Sequence, residues 1–390
     1  INAVREDPKK RGLLFAGSET QVWFSTDDGD SWHSLRQNMP ASSIRDLVVH
    51  DDDVIAATHG RGFWVLDDIE PLRQLHPMSE PMVFKPQHAL RIRWNKNTDT
   101  PLPPDEPMGQ NPPDGAVIDY YLPAAASGPV TLDILDGSGN AIRHFASTDP
   151  APAPKDEGNV PWWWIRPAKS LSAAAGMHRF TWDLHFPAAP GSRNAYPIAA
   201  TPHDTAPAPS SPWVLPSVYE LRLGVNGKTY NQWLTVEMDP RVKTEMIDLQ
   251  HQFAMSKEMY DDIIQLEAIN GRMKTTRANL RGATQTDAIK ALRKQAAELS
   301  GAAGEEDDEA PPSAAPDHET LSSLTQSLRA MLRLLQEDDA APTTQVAAAV
   351  EDRRHAVAEI LGRAQTFETA VKAAKVPEAP KGSSAIKPQP

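Results

Sequence analysis

Ser25-Thr26-Asp27-Asp28-Gly29-Asp30-Ser31-Trp32 has the form Ser-x-Asp-x-Gly-x-x-Trp, and its reading decides the architecture of the residues around it. The spacing suits a tight turn between two strands. A carboxylate at Asp27 can accept hydrogen bonds from backbone N–H groups of the turn, and Gly29 can take a positive φ without a Cβ clash. Trp32 then returns on the next strand, where its ring can pack back over the turn. Asp27, Asp28 and Asp30 crowd the corner. A Ca²⁺ loop would also need a later bidentate Glu, and none stands at the right offset. The expected role is a structural corner with no metal and no catalysis.

Outward from that corner, residues 1–75 carry two copies of one pattern. Leu13-Leu14-Phe15-Ala16-Gly17-Ser18 is followed by Gln21-Val22-Trp23-Phe24-Ser25, and Val54-Ile55-Ala56-Ala57-Thr58-His59 by Gly62-Phe63-Trp64-Val65-Leu66. Trp23 and Trp64 superpose at a period of about 41, within the range of propeller blades. Each copy alternates apolar and polar residues as a strand–turn–strand unit does. In the second copy Asp67-Asp68-Ile69-Glu70-Pro71 replaces the eight-residue corner and ends the repeat. Two blades cannot close a ring. The expectation is therefore the last blades of a β-propeller, continuing a longer protein whose other blades lie upstream of Ile1.

Residues 76–240 read as all-β. Short strands are expected at Met82-Val83-Phe84, Leu90–Trp94, Val117–Leu122 and Met177–Phe186, with hairpins at 130–145 and 219–238. Pro-rich loops separate them, including a long one from Asn95 to Gly115. Such short strands with turn signals between them predict an Ig-like β-sandwich. At Asp239-Pro240 the period changes to helical. Met246, Leu249, Phe253, Tyr260 and Ile263 mark a first stripe, and Asp287–Leu299 a second helix. Leu321, Leu324, Leu328, Met331 and Leu335 mark another stripe, and Val346, Val350, Val357, Ile360, Phe367 and Val371 the last. These stripes need partners, so residues 241–376 are expected to form an antiparallel helical bundle with an acidic, solvated loop near 301–317. Residues 377–390 read as a disordered tail. The fold class expected is multidomain, β then α.

Composition narrows the function classes. The 390 residues are 40% hydrophobic and 23% charged, as in ordinary globular chains. A net charge of −13 argues against nucleic-acid binding. Cysteine is absent, which excludes disulfides and thiolate metal sites and fits an extracytoplasmic protein. No apolar run is long enough to span a bilayer. The 36 prolines rule out long helices before residue 240.

Few residues invite a binding role. His59 and Arg61 flank Gly60 in a turn, where Arg61 could grip a carboxylate or a sugar acid, or instead pair with Asp67 or Asp68 to lock neighbouring blades. Trp162, Trp163 and Trp164, with Trp213 and Trp233, could stack on sugars, or else cover a core and a seam. His178 and His185 make a poor metal pair. No pair of carboxylates stands out as a glycosidase would need. Neither a catalytic residue nor a cofactor is expected.

Val4-Arg5-Glu6-Asp7-Pro8, the eight-residue corner, Ser43–His50 and Thr58–Trp64 resemble large bacterial BNR-repeat proteins. These are usually labelled glycosyl hydrolases and are related to the sortilin-type propeller; the corner is their Asp-box, with Ser25, Asp27, Gly29 and Trp32 as its structural positions. Gly176–Leu184, Val236–Val242 and Asp338–Thr343 look like later parts of the same family. The resemblance implies a secreted or periplasmic protein in which this chain is a non-catalytic scaffold that binds a protein or a glycan and packs against upstream propeller blades. The alternative it implies is a glycoside hydrolase whose catalytic residues lie in those blades.

Overall fold

The computed structural model describes residues 1–93, 113–156, 160–197, 203–301 and 318–376. Trp94, most of the expected loop from Asn95 to Gly115, the acidic segment from 302 to 317 and the tail from 377 lie outside the described residues. The protein is mixed β and α, with four sheets and five helices among the described residues. It divides into two compact units. One comprises Ile1–His185, Ala195–Ala208 and Pro216–Arg241; the other comprises Phe186–Asn194, Pro209–Leu215 and the residues from Val242 onward.

The first unit opens with an antiparallel sheet in chain order: β1 (Ala3–Glu6), β2 (Leu14–Gly17), β3 (Val22–Ser25) and β4 (His33–Ser34). A second follows in the same manner: β5 (Ile44–His50), β6 (Asp53–Thr58) and β7 (Phe63–Leu66). The two repeat each other pair by pair. Ala3 faces Gly17 as Ile44 faces Thr58. Ala16 faces Trp23 as Ala56 faces Trp64. Even the hairpin turns agree. Ser18 Oγ donates to Gln21 O and Thr58 Oγ1 to Gly62 O, while the indoles of Trp23 and Trp64 donate back to Ser18 Oγ and Arg61 O.

Neighbouring side chains on a strand point to opposite faces. The first sheet buries the face bearing Phe15, Val22 and Phe24, and the second packs Ile44, Leu47, Ala56 and Trp64 into the same core. By register, Phe15 and Phe24 correspond to Ile55 and Val65, which lie on the far side of the second sheet. The two sheets therefore stack head to tail, with opposite faces of one repeating unit in contact. Gly17 permits the close approach: a Cβ there would stand 2.6 Å from Ile44 Cγ2. The short helix α1 (Glu70–Gln74) closes the region, with Pro71 in its first turn, where no backbone donor is needed.

The rest of this unit contains β8 (Met82–Val83), β9 (Ala89–Arg91), β10 (Ala116–Leu122), β11 (Thr131–Leu135), β12 (Ala141–Ala146), β13 (Gly176–Trp182), β14 (Ser217–Val225) and β15 (Lys228–Met238). They make a three-stranded sheet, β13-β10-β8, and a five-stranded sheet, β12-β11-β14-β15-β9. All pairs are antiparallel except β15 with β9. Rings meet across the two sheets, Trp182 against Tyr219 at 5.8 Å and Phe145 against Phe180 at 4.7 Å. The Asn226-Gly227 turn between β14 and β15 has both residues at positive φ, the requirement of a type I′ hairpin.

In the second unit α2 (Met246–Gly282), α3 (Asp287–Ser300), α4 (Leu321–Leu335) and α5 (Thr344–Ala373) share one core. Leu249, Tyr260 and Ile263 are buried as their spacing requires, but Met246 at the first helical position is exposed. Thr286, Thr320 and Thr343 cap three of these helices, each hydroxyl accepting a backbone N–H. Residues 186–194 and 209–215, expected among the strands, pack with the helices instead. Phe186 stacks near Phe253 and Tyr260, whose hydroxyl donates to Pro187 O at 2.9 Å. Arg329 donates to Ser192 Oγ at 2.7 Å and to Glu267 Oε1 at 2.8 Å.

Candidate functional site

The corner after β3 is built by side chains satisfying their own backbone. Asp27 Oδ1 accepts Ser25 Oγ–H at 2.7 Å and Ser31 N–H at 2.8 Å, and Oδ2 accepts the Ser31 hydroxyl. Ser25 Oγ in turn accepts Gly29 N–H at 2.9 Å. Asp28 and Gly29 adopt φ of 61° and 97°. The Trp32 ring lies over the turn, 3.7 Å from where a Gly29 Cβ would be. Donation from the Ser31 hydroxyl and N–H, and then from Ser25, pulls the Asp27 carboxyl down to about 2. A carboxylate so occupied has little left for a cation, and no metal-holding cluster of His, Cys, Asp or Glu occurs among the described residues.

His59 and Arg61 are exposed on the turn between β6 and β7. The structure does not pair Arg61 with Asp67 or Asp68. The arginine at those residues is Arg179 from β13, which donates to Asp67 O at 2.7 Å and Asp68 O at 2.8 Å and grips both oxygens of Asp119 at 3.0 Å. Sequence proximity favoured Arg61; sheet topology brings Arg179 more than a hundred positions back along the chain. Burial raises the Asp119 carboxyl despite that pairing. Asp68, buried and at φ 58°, is raised by burial to about 6, against one backbone N–H from Glu70.

A second arginine escaped sequence reasoning. Arg73 of α1 is buried, and its Nε donates to the fully buried Asp7 at 2.7 Å. Its Nη1 reaches Asp52 and Glu70, and its Nη2 donates to Asp51 O at 2.8 Å. Burial alone would lower its pKa, but the bonds to Asp7, Asp52 and Glu70 hold it above the ordinary value. Nothing local in the sequence marks Asp7 as its partner.

The tryptophan run does not form one platform. Trp162 is 48% exposed and meets Trp163 edge-on at 6.1 Å and His203 at 6.0 Å. Trp163 and Trp164 are half-buried, and the buried Trp163 Nε1 has no hydrogen-bond partner among the described residues. The segment is fixed by backbone bonds from His203 and Thr205 to the carbonyls of Trp163 and Trp164. Beside it Arg166 donates to Asp114 at 2.6 Å and Asp204 at 2.9 Å. Trp233 is exposed on β15, and Trp213 belongs to the other unit. His185, past the end of β13, is buried and pushed down to about 4 by burial.

Chemically, these groups are structural or available for recognition. Arg73, Arg166 and Arg179 are each held by carboxylates and carbonyls, and Trp162 offers a flat exposed ring. Comparison with protein-family models, with curated proteins and with solved structures found no match to this chain. No helix among the described residues is long and apolar enough to cross a membrane.

Proposed function

We propose that this chain is a non-catalytic scaffold and binding module of an Asp-box propeller protein. The observation that carries the reading is the head-to-tail repetition of the β1–β4 and β5–β7 sheets, the arrangement of successive propeller blades. On this reading residues 1–75 are two blades, residues 76–240 an Ig-like β-sandwich, and the four long helices an antiparallel bundle. The likeness of its motifs to BNR-repeat proteins supports a place outside the cytoplasm. Binding, of a glycan or a protein, is favoured over hydrolysis because the buried carboxylates of Asp7 and Asp119 pair with Arg73 and Arg179 rather than facing each other across a cleft. Trp162, with His203 beside it, is the surface offered to a ligand.

A glycan array probed with the 390-residue chain tests this. The expected result is retention on a subset of glycans, lost in Trp162→Ala, with no released sugar on prolonged incubation. Retention that survives Trp162→Ala would move the contact elsewhere, and cleavage of any glycoside by this chain would overturn the non-catalytic reading.

A further inference from the structure

One end of the helical unit carries a charge opposite to that of the chain. Between residues 272 and 294, where α2 turns into α3, the sequence holds seven Lys or Arg and one acid, Asp287, in a chain of net charge −13. Six of these cations fall into two stripes. Lys274, Arg277 and Arg281 follow one another at spacings of three and four on α2, and on α3 Lys290 has Arg293 and Lys294 three and four positions on. Residues so spaced share a helix face and lie about 5–6 Å apart.

The turn holds the two helices in register. At the end of α2, Gln285 Nε2 donates to Ala283 O at 2.7 Å and Leu280 O at 3.1 Å, and Arg293 Nη1 donates to Gln285 Oε1 at 3.0 Å. Lys274, Arg281, Lys290 and Lys294 are exposed, and Arg277 and Arg293 half-buried. Lys290 and Lys294 stand 3.9 Å from Asp287 and Glu298, beyond hydrogen-bond reach. Helix stability accounts for Arg281, which lies in the last turn of α2, where a cation meets the negative end of the dipole. It does not account for Lys290, which lies near the positive end of α3, where the dipole opposes it.

Two of the polyanions that such a surface could meet lack what they need here. An anionic bilayer holds amphipathic helices through exposed apolar side chains as well as charge, but Met273, Leu280, Ile289 and Leu292 of this hairpin are buried. Single-stranded nucleic acid needs aromatic platforms for its bases, and residues 272–294 contain no Phe, Tyr or Trp. What remains is rows of cations at intervals close to the length of one hexose. We propose that the α2–α3 turn binds a linear acidic glycan bearing a carboxylate or sulfate on each sugar. The glycan part of this rests on the binding-module reading above; the cationic surface stands without it.

Fluorescence anisotropy of labelled heparin and labelled polygalacturonate, one sulfated and one carboxylated, titrated with the 390-residue chain tests it. Saturable binding to one or both is expected, weakening as salt rises. The two probes tell which anionic group is read. Lys274→Glu, Lys290→Glu and Lys294→Glu combined should lower the affinity by about tenfold or more. The same three changed to Arg should keep it. All three side chains are exposed, so the thermal unfolding midpoint should stay that of the parent, and retention of neutral glycans through Trp162 should not change. Undiminished binding by the Glu variant overturns the proposal, as does absence of binding to both probes at low salt. So does tighter binding of phosphatidylglycerol vesicles, single-stranded DNA or polyglutamate than of either glycan, which would assign the surface to a membrane, a nucleic acid or an acidic protein. If the parent binds only once the run from Glu305 to Glu309 is neutralised, the chain's own acidic segment is the occupant and the proposal falls. Heparin binding without any retention of neutral glycans by the parent would sink the Trp162 reading and leave this one standing.

Discussion

Two corners leave the two repeated sheets, and they are closed in opposite ways. After β3, the side-chain bonds that hold the corner from Ser25 to Trp32 lie within those eight residues, with Asp27 at their centre, and one backbone bond runs outward from Asp28 N–H to Gly12 O at 3.1 Å. After β7, Asp67 and Asp68 lead into α1, and what holds them comes from far away: Arg179 caps their carbonyls, and Arg73 ties the helix to Asp7 and Asp52. The same residue type meets opposite electrostatics. Asp27 is surrounded by donors and pulled down to about 2; Asp68 is buried with one donor and pushed up to about 6. A repeated backbone does not dictate a repeated chemistry; what each corner packs against does.

The largest difference should appear on removing Arg73. Arg73→Met leaves Asp7 buried without its partner, and stripping one member from a buried pair costs about 3–5 kcal/mol. Urea unfolding of the parent and variant reads this as a lower midpoint. If the loss comes from stranding Asp7, the double variant Asp7→Leu with Arg73→Met recovers much of it. A cost unchanged in the double variant would assign Arg73 a packing role instead.

Next comes the seam between the sheets. Gly17→Ala places a methyl 2.6 Å from Ile44 Cγ2, and overpacking of this kind costs about 1–3 kcal/mol. Pairing it with Ile44→Val tests the cause: the smaller side chain should relieve part of the loss if the head-to-tail contact is its source.

The comparison also explains what could be read from sequence. Strands and helices were legible because their periods are local. Ala16, Trp23, Ala56 and Trp64 alternate, and Leu321, Leu324, Leu328 and Leu335 recur at helical spacing and are buried. The first corner was legible for the same reason, since every side-chain bond to the Asp27 carboxylate lies within it. The second was not. Arg73 and Asp7 are 66 positions apart, and Arg179 and Asp68 are 111 apart. The parallel pairing of β9 with β15 joins residues from opposite ends of the same region, where no turn signals the neighbour. Residues 186–194 read with the strand region in sequence because proline content marks a loop without saying which core it serves. Phe186 and Arg329 settle that by contact. The exposure of Trp162 was equally hidden, because three consecutive indoles carry no period from which to assign a face.

A smaller effect separates the two corners by pH. Because the folded pKa of Asp68 stands above the ordinary aspartate value of about 4, the folded chain binds its proton more tightly than the unfolded chain does. Its contribution is therefore most favourable below about pH 4 and is lost as pH rises toward about 6. In Asp68→Asn the side-chain oxygen can still accept Glu70 N–H, and Asn tolerates the positive φ. Unfolding free energies measured from pH 4 to 7 should fall less steeply in this variant than in the parent. Identical slopes would mean that Asp68 keeps its charge through the range.

The smallest effect belongs to Asp27, and its sign is the reverse. A depressed carboxyl contributes above its unfolded pKa of about 4, and the contribution is lost as pH falls through about 2. The Asp27 carboxylate lies at the surface and bonds only Ser25 and Ser31 of its own corner, so the loosening on its loss should stay local. In Asp27→Ala at neutral pH, the Ser31 amide, which now donates to Asp27 Oδ1, should exchange with solvent markedly faster, while Leu47 and Ala56 amides in the neighbouring sheet keep their protection. Residue-resolved hydrogen exchange makes that distinction. Were the β5–β7 amides to lose protection together with Ser31, the first corner would be coupled to the stack as tightly as the second, and the contrast between a self-contained corner and one held from a distance would not stand.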